Sequence, residues 1–170
     1  MASKIKVDTL ETANGSGTIA LSNQLSGMTT ASLPSGSVLQ VVQASNSTSF
    51  VTSSASFVDT PLTATITPTS TSSKILVMWT IQVLLDGTNK GIGTKLLSGS
   101  TGVYQSGSSY DVYSGAASNA SRKRPSWSYL DSPSTTSAVT YKVQVQAYGG
   151  AVTIHDTNSA SQIILMEIAG

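Results

Sequence analysis

Between Val139 and Tyr148 the chain alternates without a fault: Val139, Tyr141, Val143, Val145 and Ala147 are apolar or aromatic, and Thr140, Lys142, Gln144 and Gln146 are polar. A period of two places these sets on opposite faces of a strand and does not fit the 3.6-residue period of a helix. The pattern recurs elsewhere. Leu62, Ala64 and Ile66 alternate with threonines up to Pro68, which lacks the N–H that a central strand needs. Ile75, Val77, Trp79, Ile81 and Val83 share one face of the longest apolar run, while Leu76, Met78 and Leu84 make its other face apolar too. Shorter strand signals fall at Val38 to Gln43, Phe50 to Val58, Ile92 to Leu97 and Gln162 to Ile168, with Ser, Thr, Gly and Asn between them. No capped amphipathic segment of helical period intervenes. About eight to ten short strands of this kind predict an all-β chain folded as a sandwich or jelly roll.

Composition decides whether such strands can fold. Ser and Thr fill about a third of the chain, and charged residues only 10%. A disordered chain of that polarity lacks β-branched and aromatic runs; this one has several, so it can bury a core. The formal net charge of +1 supplies no global field toward nucleic acid or membrane. Cysteine is absent, which removes disulfides and thiolate chemistry. No apolar run reaches the length of a membrane-spanning helix, and Met1 to Asp8 carries charge without the apolar stretch of a signal peptide.

Two regions are expected. Residues 1–36 hold two short strand signals, around Ile5–Val7 and Thr18–Leu21, separated by Asn14-Gly15-Ser16-Gly17. This predicts a hairpin that needs partners, because two strands alone are marginal in water. It is expected to be a stem or attachment segment ending in a Gly/Pro linker. Residues 37–170 form the head. Within it, Gly149-Gly150 reads as a two-residue hairpin turn, and the polar stretch from Ser98 to Ser137 as long loops.

Chemistry is sparse. The single histidine, His155, reads as a solvated loop residue; three copies on a symmetry axis binding a divalent ion is the lesser alternative. The eight acids are scattered and read mainly as turn residues, and no nucleophile elbow joins a strand to a helix. The chain therefore reads as having no catalytic residues, no metal site and no cofactor. The one concentrated cluster is Arg122-Lys123-Arg124, followed by Trp127 and Tyr129. It suits first a solvated basic loop or one pairing with a neighbour's acids, next an anionic or sugar-bearing surface, and least nucleic acid. With Tyr104, Tyr110 and Tyr113 these residues make up the expected surface-contact set. Met78 and Trp79 read as core or subunit-interface residues.

The segments "SKIKVDTLETANGSGTIALSNQLSGM" and "SVLQVVQ" resemble the N-terminal part of tail-fibre and related virion proteins of marine and cyanobacterial phages. "LTATITPTSTSSKILVMWTIQV", "YLDSPSTTSAVTYKVQVQAY" and "IILMEIAG" are similar to the globular domain on such stems, itself like the jelly-roll heads of the tumour-necrosis-factor and complement type. The resemblance implies a homotrimeric virion appendage on the tail or capsid surface. Its N-terminal segment would bind other virion proteins, and its head loops a host glycan or protein, without enzymatic activity, nucleic-acid binding or membrane insertion. A capsid-decorating or fibre-joining protein without receptor contact is the alternative.

Overall fold

The computed structural model describes residues 33–107, 109–115, 120–156 and 159–170. The hairpin expected before residue 33 lies outside the described residues. Thirteen strands follow in chain order: β1 (Val38–Asn46), β2 (Phe50–Thr52), β3 (Val58–Ile66), β4 (Lys74–Thr80), β5 (Val83–Leu85), β6 (Gly91–Ser98), β7 (Thr101–Gln105), β8 (Val112–Tyr113), β9 (Ser121–Lys123), β10 (Ser126–Asp131), β11 (Val139–Tyr148), β12 (Val152–Ile154) and β13 (Ser161–Ile168).

Their pairing collapses to a simpler object. One sheet runs β1-β13-β4-β10, and a second, short one runs β2-β12-β5-β9. The order is the same, because each short strand is the continuation of its long counterpart past a break. All four breaks fall at one level. Ser47–Ser49 are turned by Asn46, whose Oδ1 accepts the Thr48 N–H at 2.8 Å. Pro125 offers no N–H, and its carbonyl accepts Ile81 N–H at 3.2 Å. His155 takes a positive φ of 59°. Merged, these pieces make four long strands in one interrupted sheet, facing a continuous sheet β3-β11-β6-β7 with β8 on the edge of β6. All pairings are antiparallel. Numbering the eight merged strands in chain order gives 1-8-3-6 facing 2-7-4-5, the two-sheet jelly roll.

The alternation read from the sequence is what fills the space between the sheets. Ile75, Val77, Trp79, Ile81 and Val83 are buried from one side, and Leu62, Ala64, Ile66, Tyr141, Val143 and Val145 from the other. Two expectations are corrected. Gly149-Gly150 does not make a hairpin: β11 pairs with β3 and β6, β12 with β2 and β5, so the turn carries the chain from one sheet to the other. Gly149, at φ 74°, is required there, since a Cβ would collide with the Asn89 carbonyl. Residues 121–131 are not loop but two edge strands, β9 and β10, held by β5 and β4. The sequence hides them because Arg122, Lys123 and the alternating serines read as loop.

Several polar residues are buried in the sandwich, and one of them is a carboxylate at the end of a central strand. Glu167 is fully buried at the end of β13 and accepts Gln40 Nε2 at 2.6 Å, Thr69 N–H at 2.6 Å and Thr69 Oγ1 at 2.7 Å. Burial alone would raise its pKa, but these hydrogen bonds outweigh it and hold the carboxyl below the usual range. At the other end of β13, buried Ser161 Oγ accepts Gln82 N–H at 2.9 Å. Replacing Glu167 by Ala removes the acceptor shared by Gln40, which keeps its bond to the Thr67 carbonyl, and Thr69, and we expect a loss of about 1–3 kcal/mol in urea unfolding. Stability unchanged within error would show that the network does not anchor the strand.

Candidate functional site

The expected contact residues divide into three groups. Trp127 and Tyr129 lie on β10 with their rings turned inward, against the expectation of exposed loop aromatics. Trp127 stacks on Trp79 at 5.9 Å between centroids, and Tyr104 of β7 meets Trp79 edge-on at 5.4 Å. Tyr104 and Tyr129 are 6.5 Å apart. Since β10 and β7 are the edge strands of their sheets, these rings close one open side of the sandwich. Burial, with the Asp111 charge adding to it, raises the Tyr104 hydroxyl pKa.

The basic triplet forms the second group and is partly spoken for. Arg122 binds Asp156 through Nε at 2.8 Å and through its terminal nitrogen at 2.7 Å, across the seam between β9 and the end of β12. Lys123 Nζ donates to the Tyr113 carbonyl at 2.9 Å. Arg124 is exposed at the break before Pro125.

Tyr110 and Tyr113 form the third group, joined by a residue that the sequence reading passed over. Tyr148 and Tyr113 pair with Gly91 from either side, in one row across β11, β6 and β8. Gly91 leaves a gap that Tyr110 fills: a Cβ there would lie 2.9 Å from the Tyr110 Cβ. The Tyr110 ring stacks on Tyr113 at 4.7 Å and tilts against Tyr148 at 4.8 Å. Tyr113 Oη donates to Asn89 Oδ1 at 2.7 Å. The signal for Tyr148 was present: strict alternation assigns it to the polar face of β11, where a large aromatic is out of place.

The two sheets present opposite surfaces to the outside. On the continuous sheet the outward rows are mostly polar: Thr65 beside Thr140, then Thr63 beside Lys142 with the half-buried Leu97 as the apolar member, then Asp59, Gln144, Lys95 and Gln105. Asp59 accepts Lys142 Nζ at 2.6 Å and Gln144 Nε2 at 2.7 Å, and these bonds lower its pKa. The interrupted sheet is otherwise. Val41, Met166, Leu76 and Leu130 form one outward row across all four strands, and Gln43, Ile164, Met78 and Ser128 the next. Val41 is 55% and Leu130 50% exposed. Neither row holds a charged side chain; Lys74 stands at the rim beside Ile168. A hollow of about 390 Å³ between Met78, Trp127, Gln162 and Ile164 opens on this face. Of the two residues read as core or interface, Trp79 is core and Met78 is on this outer face.

His155 is not a solvated loop residue. It is 1% exposed, at the level where the strands break. Its Nδ1 lies 2.9 Å from the Thr48 carbonyl, which only accepts, so Nδ1 carries the proton and Nε2 has no partner. The neighbouring backbone is tied in as well: His155 N–H donates to the Gln82 carbonyl at 3.0 Å and Asp156 N–H to Gln82 Oε1 at 2.6 Å. Among the described residues no group of three or more His, Cys, Asp or Glu side chains is placed to hold a metal ion. No helix of the described residues is long and apolar enough to cross a membrane.

No family model and no curated protein matches the chain. Among solved structures it is similar to that of the Gx strain of infectious bursal disease virus, with 14% identity and a TM-score of 0.44 over 79% of this chain and 39% of that one. It is similar also to the VP2 subviral particle of infectious bursal disease virus, with 12% identity and a TM-score of 0.45 over 77% of this chain and 33% of that one. The chain thus spans well under half the length of the structures it matches. The fold assignment rests on the strand order above, not on these distant likenesses.

The seam makes an acid-sensitive joint. Burial holds the His155 imidazole below its ordinary value of 6.5, and the hydrogen bond to Thr48 offsets that only in part. An unfolded chain takes up this proton near 6.5 while the folded one resists it, so stability is full above that value and falls as pH drops below it. We expect the urea midpoint to decline between about pH 7 and about pH 5.5, and His155→Asn to flatten that slope. A midpoint equally pH-dependent in the variant would assign the effect elsewhere.

Proposed function

We propose that this chain is an architectural subunit of a virion, built to associate with copies of itself through the outer face of the interrupted sheet. The observation that carries the reading is the contrast between the two outer surfaces. One is laced with hydroxyls, amides and an ion pair; the other offers two neighbouring rows, one wholly apolar and neither charged. Leaving such a face in water invites nonspecific association, whereas a matching copy removes it from solvent. Three copies about an axis is the number that the sequence resemblance supplies, as it supplies the virion. Residues 1–36 are assigned to attachment, joining the head where Gly36 N–H donates to the Ala169 carbonyl and Ala169 N–H to that of Ser37. Bracing a shell or fibre in this way needs no bond-making chemistry, and none is assigned.

Light scattering coupled to size exclusion tests it. The wild-type chain is expected to run as a closed oligomer at micromolar concentration. Leu130→Asp, on an edge strand and already half exposed, is expected to shift it to monomer while far-ultraviolet circular dichroism stays that of a β protein. A wild-type chain that is monomeric and folded overturns the proposal.

A further inference from the structure

The tyrosine row at Gly91 stands at a particular end of the molecule. The loops after β3, β6 and β10, the C-terminus and the incoming residues 33–37 gather at one end of the sandwich. The turns after β2, β5, β7 and β11 gather at the other, and Tyr110, Tyr113 and Tyr148 belong to that second end. If residues 1–36 face the particle, the tyrosines face away from it. Only this orientation rests on the proposed function; the site's own geometry does not.

The site has the parts a sugar ring uses. Tyr148 is 41% exposed, on a face that is otherwise mostly polar, and its ring is braced by Tyr110, itself stacked on Tyr113. Bracing matters, because an aromatic surface that is already fixed pays little entropy on binding. Around the rings are hydrogen-bonding groups: Asn89, whose Oδ1 already orients Tyr113, Ser114, and Gln146, held by its own bond to the Ser109 carbonyl at 3.0 Å, with Lys123 Nζ on the Tyr113 carbonyl and Lys90 Nζ on that of Ala151. Gly149 closes the turn against Asn89, so the loop bearing Asn89 is fixed to the strand bearing Tyr148. The exposed Tyr148 ring, inclined 51° to Tyr110 and 62° to Tyr113, offers one aromatic face to a pyranose, with amides, hydroxyls and two lysines near its rim. A protein partner fits less well, since a stable protein interface buries about 800 Å² on each side and this patch offers three rings.

We propose that Tyr148, braced by the stacked pair Tyr110 and Tyr113, is a saccharide-stacking site, with Asn89 and Gln146 supplying hydrogen bonds to ring hydroxyls. Each contact is weak, and repetition over several copies makes the adhesion firm.

The full chain, labelled and applied to a printed array of neutral and acidic oligosaccharides, tests this. We expect binding to a subset of pyranosides, reduced about tenfold or more by Tyr148→Ala and kept by Tyr148→Trp, which restores a stacking ring. Thr140→Ala, at the opposite end of the same face, should leave it unchanged. An array that stays blank, binding of protein ligands only, or a Tyr148→Ala signal equal to wild type overturns the proposal. Light scattering on the same samples keeps the two readings apart. A monomer that binds sugar through Tyr148 defeats the assembly reading alone; an oligomer that binds no sugar defeats this one alone.

Discussion

Hydrophobic burial does not by itself decide which face of the central strands points inward. β4 offers Ile75, Val77 and Trp79 on one side and Leu76 and Met78 on the other; β13 offers Ile163 and Leu165 against Ile164, Met166 and Ile168. A slip of one residue exchanges two apolar sets and costs little transfer free energy. The choice is made by polar residues at the ends of β13. Glu167 has its partners, Gln40 and Thr69, only when it faces inward, and Ser161 caps Gln82 N–H only in the same phase. A slipped strand would strip both networks and leave their donors unpaired. The flanking strands agree, since Trp127 and Tyr129 of β10 reach the core while Ser126 and Ser128 face out. Polar anchors give this core its uniqueness, and apolar area gives it its driving force.

The same two-sidedness explains the outer surface. A central strand that only had to build one sandwich could carry threonines outward, as β3 does with Thr63 and Thr65. That β4 and β13 do not, and that Leu130 and Val41 extend the apolar row to both edge strands, places the cost of solvation where the proposed second copy would remove it. The fold and the proposed assembly would thus draw on one pattern read from its two faces.

How much of this was legible in the sequence follows from what each signal measures. Period-two runs with β-branched residues located β3, β4, β6, β11 and β13, because in those strands one face meets the core throughout. They failed at β9 and β10, where an edge strand wears serine and cations outward and its inward aromatic residues, Trp127 and Tyr129, number only two. They failed at Gly149-Gly150 for a different reason: a local turn signal cannot say whether the next strand pairs with the last or crosses to the facing sheet. His155 was misread because one titratable residue in a polar stretch carries no sign of the seam that buries it; Thr48, Gln82 and Pro125, its companions at that level, lie far away in sequence. Of the expected contact residues, the sequence grouped by proximity what the fold separates by face. It also left out Tyr148, which the alternation alone placed outward.

The three surfaces are compatible in space. An assembly closed through the interrupted sheet leaves the polar sheet and both ends of the sandwich in solvent. The chain arrives at one end, next to Ala169, and the tyrosine row stands at the other. Between them the continuous sheet runs unbroken, and in the interrupted sheet the belt of strand breaks is bridged through Gln82, whose backbone and side chain are bonded to Ser161, His155 and Asp156. Tension applied from the attached end toward a bound tip would cross this belt, where strand pairing gives way to a handful of side-chain bonds. The long ladders on either side have more hydrogen bonds in parallel. The seam is therefore where the interrupted sheet is expected to yield first, and the one histidine in the chain is buried in it.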